Sequence, residues 1–135
     1  MSQVIIYKQD NGTVAIIRPT EEALATMTLA QIAAKDVPAG VPFQIVDAAT
    51  IPTDRTFRNA WKDDLTVDMP KAVEITKDRL RAERAPLLIE QDVAFQKAQE
   101  TGGSIAAIVA EKKRLRDITK LDPGLTLEQL KAATV

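Results

Sequence analysis

The sequence contains neither cysteine nor histidine. The lack of cysteine excludes disulfides, thiol nucleophiles and thiolate metal sites. The lack of histidine removes the side chain most used for proton transfer near neutral pH, so a conventional Ser-His-Asp triad cannot form. We therefore expect a protein that is not an enzyme and that has no catalytic residues, no cofactor and no metal.

Aromatic residues are also scarce, at 4% of the 135 residues, although apolar residues reach 45%. Cores built mainly from Ile, Val, Leu and Ala should be thin. No stretch approaches the roughly 20 apolar residues that a membrane span needs. The start, Met-Ser-Gln, lacks a basic region followed by an apolar run, so we expect neither membrane insertion nor export by a signal peptide.

The first 50 residues carry the clearest local pattern. Val4 to Lys8 and Thr13 to Arg18 are rich in β-branched residues and flank Asp10-Asn11-Gly12, which predicts a β-hairpin. Thr20 is a helix cap, and a second capping pattern begins at Thr28, where the helix is expected to break. The segment "VPFQIVDA" then predicts a third strand. Residues 1–50 should form a ββαβ module whose sheet has one face covered by the helix.

Residues 51–67 are predicted to be a linker that holds the only tryptophan. The stretch "IPTDRTFRNAW" fits neither a helical nor a strand period. One interpretation is structural: Phe57 and Trp61 anchor the linker on the N-terminal module. The other is functional, because Trp, Phe and Arg dominate the energetics of interfaces. The candidate partner-binding residues here are Arg55, Phe57, Arg58 and Trp61.

Residues 68–135 are predicted to be helical, with helices at 68–101, 104–120 and 126–133 that include a helical hairpin. Pro86 should kink or restart the first helix, Ser104 should cap the second, and Thr126 with Gln129 should cap the third. The first helix has a narrow inward stripe: Val73, Thr76, Leu80 and Leu87. The second has an apolar face: Ile105, Ile108, Val109, Leu115 and Ile118. The whole chain is therefore expected to be α+β.

Narrow apolar seams of this kind often complete their burial against another helix. Leu80, Leu87, Ile108 and Leu115 are therefore further candidate partner-binding residues, and self-association through the C-terminal helices is one form that such contact can take.

Two groups of charged residues offer other interpretations. Asp54, Asp63, Asp64 and Asp68 invite acid–base or metal chemistry, but their spacing matches no calcium loop, so solvated loops and helix caps explain them better. Five basic residues late in the chain could bind phosphates: Lys112, Lys113, Arg114, Arg116 and Lys120. No aromatic residues interleave with them for base stacking. A nucleic-acid-associated accessory protein is thus the second alternative, and nucleic acid is not the partner we expect.

Four segments, taken together with the short N-terminal Ile/Val hairpin, resemble small tail-region proteins of tailed bacteriophages and prophages, grouped with tail-fibre assembly and tail-assembly chaperone proteins. They are "AAKDVPAGVPFQIVD", "IPTDRTFRNAW", "VDMPKAVEITKDRLRAERAPLL" and "KKRLRDI". The resemblance implies a non-enzymatic structural or assembly protein that docks onto a tail fibre or baseplate component. It would lie in the virion tail, or in the infected host's cytoplasm during assembly. The regular helical hairpin favours a stable structural role, and a transient chaperone that is absent from the virion is the first alternative.

Overall fold

A computed structural model describes residues 2–135. It confirms the α+β class, with a three-stranded antiparallel sheet followed by helices. The chain divides into two units, and the boundary falls between Asp68 and Met69. The predicted linker at 51–67 therefore belongs to the first unit.

The first unit contains three strands and two short helices. In chain order they are β1 (Gln3–Lys8), β2 (Val14–Ile17), α1 (Glu21–Thr26), α2 (Leu29–Asp36) and β3 (Phe43–Asp47). β1 lies at the centre of the sheet and pairs antiparallel with both neighbours, in the order β2-β1-β3. Short 3-10 helices follow at Ala48–Thr50 and Arg58–Ala60.

The predicted hairpin between β1 and β2 is present, and its turn shows why. Gly12 has a φ of 82°, a backbone conformation that glycine adopts without steric cost. The Asn11 side chain accepts a hydrogen bond from the Thr13 N–H at 3.0 Å, while the Gln9 N–H donates to the Thr13 carbonyl at 2.8 Å. Local side-chain chemistry thus fixes where the chain reverses.

The break near Thr28 is also confirmed, because α1 ends at Thr26 and α2 begins at Leu29. The Thr28 hydroxyl accepts from the Gln31 N–H, and the Gln31 side chain accepts from the Thr28 N–H. This reciprocal capping box satisfies two donors that a new helix would otherwise leave without partners.

Both faces of the sheet are covered, whereas the sequence predicted a cover on only one. On the helix side the buried residues are Ile5, Ile32, Ala33 and Val37. On the other face they are Val4, Ile6, Val14, Ile51 and Trp61. The second cover is formed by residues 51–67, so the stretch predicted to be a linker completes the core of this unit.

The second unit contains three helices: α3 (Met69–Thr101), α4 (Ala106–Asp117) and α5 (Leu127–Ala132). Both α4 and α5 pack against α3. Gly102, with a φ of 72°, ends α3 and allows the chain to reverse. The predicted helical hairpin is therefore formed by α3 and α4.

Of the kink or restart predicted at Pro86, the restart does not occur, because α3 runs through Pro86 as one helix of 33 residues. Proline removes a single backbone donor, to the carbonyl of Ala82. Both residues are exposed, so water can satisfy that carbonyl. The rest of the hydrogen-bond ladder continues on either side.

Helix ends agree with the sequence to within a few residues. The capping box at Thr126 and Gln129 is present. Ser104 was expected to cap α4, but Ile105 occupies the N-cap position, and the Ser104 hydroxyl accepts only a long hydrogen bond, 3.4 Å, from the Ala106 N–H. Within residues 2–135, no helix has the length and apolar character needed to cross a membrane.

Candidate functional site

The two aromatic residues among the predicted partner-binding residues of 51–67, Phe57 and Trp61, lie inside the first unit. Trp61 is 2% exposed and Phe57 is 5% exposed, and the Arg58 guanidinium lies over the Trp61 ring at 5.5 Å. Arg55 is exposed and Arg58 is half-buried. The anchoring interpretation of this stretch is therefore the one that the structure matches, and of its four predicted partner-binding residues only the two arginines reach the surface.

Two of the carboxylates that invited a chemical interpretation hold turns in this same stretch. Asp54 accepts hydrogen bonds from the Thr56 N–H and hydroxyl. Asp64 does the same with Thr66, and these bonds lower the pKa of the Asp64 carboxyl below its ordinary value. Leu65, which lies between Asp64 and Thr66, has a φ of 67°, a backbone conformation that costs a non-glycine residue about 1–2 kcal/mol. The paired Asp-Thr turns hold the loop that carries Trp61.

No group of three or more acidic residues among residues 2–135 is arranged to hold a metal ion.

In the second unit, one leucine from each helix is fully buried: Leu80 of α3, Leu115 of α4 and Leu130 of α5. Thr76 is also buried, and its hydroxyl donates to the Ala72 carbonyl at 2.8 Å. Two predicted partner-binding residues, Leu80 and Leu115, thus belong to this core. Leu87 and Ile108 are half-buried.

Two arginines of α3 hold the C-terminal ends of the other two helices. The Arg84 guanidinium donates to the carbonyls of Leu115 and Arg116, at 3.3 and 2.9 Å. Arg79 donates to the Leu130 carbonyl at 3.0 Å. The last four carbonyls of a helix lack partners within the helix, and positive charge is favourable at that end. The sequence analysis did not assign these roles, because the partners lie 31 to 51 residues apart.

Lys112 joins α3 and α4 farther along the hairpin. Its ammonium lies 2.7 Å from the Asp92 carboxylate and 5.2 Å from the Phe95 ring centroid. Its side chain is only 17% exposed. This lysine interrupts the apolar face of α4 in sequence, yet in the structure it closes that face with an ion pair and a cation–π contact.

The outer part of the hairpin has no sealed core. None of residues 81–114 is buried, and four large apolar side chains there are exposed by 36–63%: Ile89, Val93, Ile105 and Val109. Ile89 and Val93 lie on α3, and Ile105 and Val109 lie at the N-cap and in the first turn of α4; the two residues of each pair are four positions apart. We call residues 81–114 the distal hairpin and these four residues its exposed pairs.

The sequence analysis misplaced part of this surface. Ile105 and Val109 were assigned to the same apolar face as Ile108 and Leu115, but they are 36% and 48% exposed. Ile89 was not singled out at all. The signal that could have found Ile89 and Val93 is the spacing of two apolar residues, i and i+4, on the side of α3 opposite the inward stripe.

The basic run late in the chain is largely ion-paired. Lys112 pairs with Asp92, Arg114 pairs with Glu111, and Lys113 and Lys120 both pair with Asp117. A phosphate group would have to compete with these carboxylates for four of the five basic side chains. The arrangement therefore gives no support to the nucleic-acid alternative.

Asp117 supplies a prediction about pH. Hydrogen bonds from Lys113 and then Lys120 lower the pKa of its carboxyl from 3.8 to about 2. Because the pKa is lower in the folded chain, the ionised carboxylate stabilises the fold at pH values above about 4, and this contribution is lost as the pH falls towards 2.

We expect an NMR titration of the Asp117 carboxyl to show a midpoint near 2, and we expect the midpoint to rise towards 3.8 when Lys113 and Lys120 are both replaced by alanine. A midpoint near 3.8 in the unchanged chain would show that these ion pairs do not form in solution.

No protein-family model, curated protein or solved structure matches this chain. The assignment of a function therefore depends on the geometry described above and on the resemblance carried by the sequence.

Proposed function

We propose that this chain is a non-enzymatic protein that docks through its distal hairpin onto another protein, and that this partner is a tail fibre or a neighbouring component of a bacteriophage tail. The observation that carries the docking surface is the absence of any buried residue between positions 81 and 114, together with the exposed pairs. The phage assignment rests on the sequence resemblance.

The energetics support a surface that is completed by a partner. Fully burying an Ile or Val side chain contributes about 1.5–3 kcal/mol. Ile89 is 63% exposed and Val93 is 47% exposed, so a helix packed against this face of α3 gains a large part of that energy. Arg84 holds the base of the hairpin and Lys112 holds its middle, so this face is presented on a formed helix and binding does not require the whole hairpin to fold first.

We expect changes at the exposed pairs to weaken binding. Replacing both Ile89 and Val93 with lysine should reduce affinity for the tail protein by about 10- to 100-fold, because two apolar contacts are lost and two charges must be desolvated. The measurement is a pull-down or calorimetric titration of this chain with the tail-fibre protein proposed as its partner, at about 0.5 M salt to suppress contacts between charges.

A matched control is Leu24→Lys, which places the same charge on an apolar residue of α1 that is 47% exposed. It should bind as the unchanged chain does. Equal binding by all three proteins would refute docking through the distal hairpin, and no binding by the unchanged chain would refute the choice of partner. Mass spectrometry of purified particles separates a virion component, which is present in stoichiometric amounts, from a chaperone, which is absent.

A further inference from the structure

β3 is an outer strand of the sheet with one open edge. β1 pairs with one side of it, and within residues 2–135 no strand pairs with the other. An open edge presents backbone donors and acceptors that a further strand can bind.

The register identifies the backbone groups at that edge. In the pairing of β1 with β3, the numbers of the two paired residues always add up to 50. Ala48 donates its N–H to the Ser2 carbonyl at 2.9 Å, which continues this register. Hydrogen-bonded pairs alternate along an antiparallel ladder. The even-numbered residues of β3 therefore direct their backbone groups towards β1, and Phe43 and Ile45 direct theirs towards the open edge.

The side chains at the same two positions are apolar and uncovered. Phe43 is 41% exposed and Ile45 is 38% exposed. They lie on the sheet face that α2 covers elsewhere, since Ile45 pairs with the fully buried Ile5 of β1. The other outer strand differs: none of the exposed large apolar residues described in the structure belongs to β2.

We propose that this edge pairs with the same edge of a second copy of the chain, so that two sheets join through β3 as one six-stranded antiparallel sheet. The segment "FQIVD" is compatible with pairing to itself about Ile45. That register places Ile45 opposite Ile45 of the second copy, and Phe43 diagonal to it, within reach of an aromatic side chain. Both exposed side chains then share one apolar stripe across the two-fold axis.

Charge does not oppose this pairing. The only charged residue of β3 is Asp47, which would lie opposite Phe43 of the second copy. The two Asp47 residues are then four positions apart, about 14 Å at 3.4 Å per residue. This separation exceeds the Debye length of about 8 Å at physiological salt.

A closed two-fold pair is also the commonest arrangement of protein oligomers. The strand has five residues, so we expect dissociation in the micromolar range.

Sedimentation equilibrium tests the proposal on the intact chain. Over concentrations on either side of about 10 µM, the average mass should rise from 14.8 kDa towards twice that value. Ile45→Lys should remain a monomer, because two ammonium groups would face each other across the axis. Val109→Lys, a control at an exposed residue of α4 that leaves β3 unchanged, should associate as the unchanged chain does.

Amide hydrogen exchange gives an independent readout. The N–H groups of Phe43 and Ile45 should exchange more slowly at concentrations where the dimer forms, and circular dichroism should show that Ile45→Lys keeps its fold. A chain that stays monomeric throughout, a dimer that persists in Ile45→Lys, or association that is lost in Val109→Lys would each overturn the pairing through β3. The last result would instead place the contact on the distal hairpin.

Discussion

Replacing Trp61 with alanine is expected to lower the free energy of unfolding of the first unit by about 3–5 kcal/mol. Trp61 is 2% exposed, and it belongs to the buried cluster that also contains Val4, Ile6 and Val14. Residues 51–67 cover that face of the sheet, and the only helix among them is the short 3-10 helix Arg58–Ala60. Alanine would leave a cavity that the neighbouring β-branched side chains cannot fill without moving the strands.

The measurement is urea unfolding followed by far-ultraviolet circular dichroism, since the variant has no tryptophan fluorescence. Leu24→Ala is the control, because Leu24 is 47% exposed in the same unit, and it should change stability by no more than about 0.5 kcal/mol. A loss below about 1 kcal/mol for Trp61→Ala would mean that the loop, and not the indole, seals this face.

Replacing Leu115 with alanine is the prediction with the next largest effect, a loss of about 2–5 kcal/mol in the second unit. Leu115 is the only residue of α4 that is fully buried. Its own carbonyl accepts from Arg84, so the same turn of α4 supplies both the apolar and the polar contact with α3. Loss of the side chain should therefore loosen α4 along its whole length.

Val109→Ala is the matched control on the same helix, because Val109 is 48% exposed. We expect it to change the free energy of unfolding by about 0.5 kcal/mol or less. Denaturant unfolding followed at 222 nm, where helices dominate the signal, compares the two variants. If both lost the same stability, α4 would not be held on α3 through Leu115.

Short-range rules predicted most of the elements. The hairpin turn at Asn11-Gly12 and the capping boxes at Thr28 and Thr126 each depend on residues within four positions of one another. Such short sequence patterns predict the structure well because the hydrogen bonds involved form between residues that are close in sequence. At Pro86 the helix does not restart, since the cost of one missing hydrogen bond did not outweigh the continuity of a long helix.

The candidate surface was harder to predict than the fold. Periodicity placed Val109 on one apolar face with Leu115. Which part of that face is buried depends on the partner helix, and the partner is set by the position of the turn at Gly102. The sequence also gave no measure of which face of the sheet Trp61 would cover. Long-range caps such as Arg84 on α4 depend on distances that only the folded chain defines.

Pro86 has a consequence for how α3 comes apart. Its missing N–H removes one rung of the ladder in a helix of 33 residues, close to the point where the buried residues end at Leu80. Fraying of α3 that starts near Gly102 reaches, at Pro86, a position where one backbone hydrogen bond is already missing, so the turns on either side are less tightly coupled. In the free chain we therefore expect amide hydrogen exchange to be faster in the turns beyond Pro86 than in the turns around Leu80, although the helix is continuous.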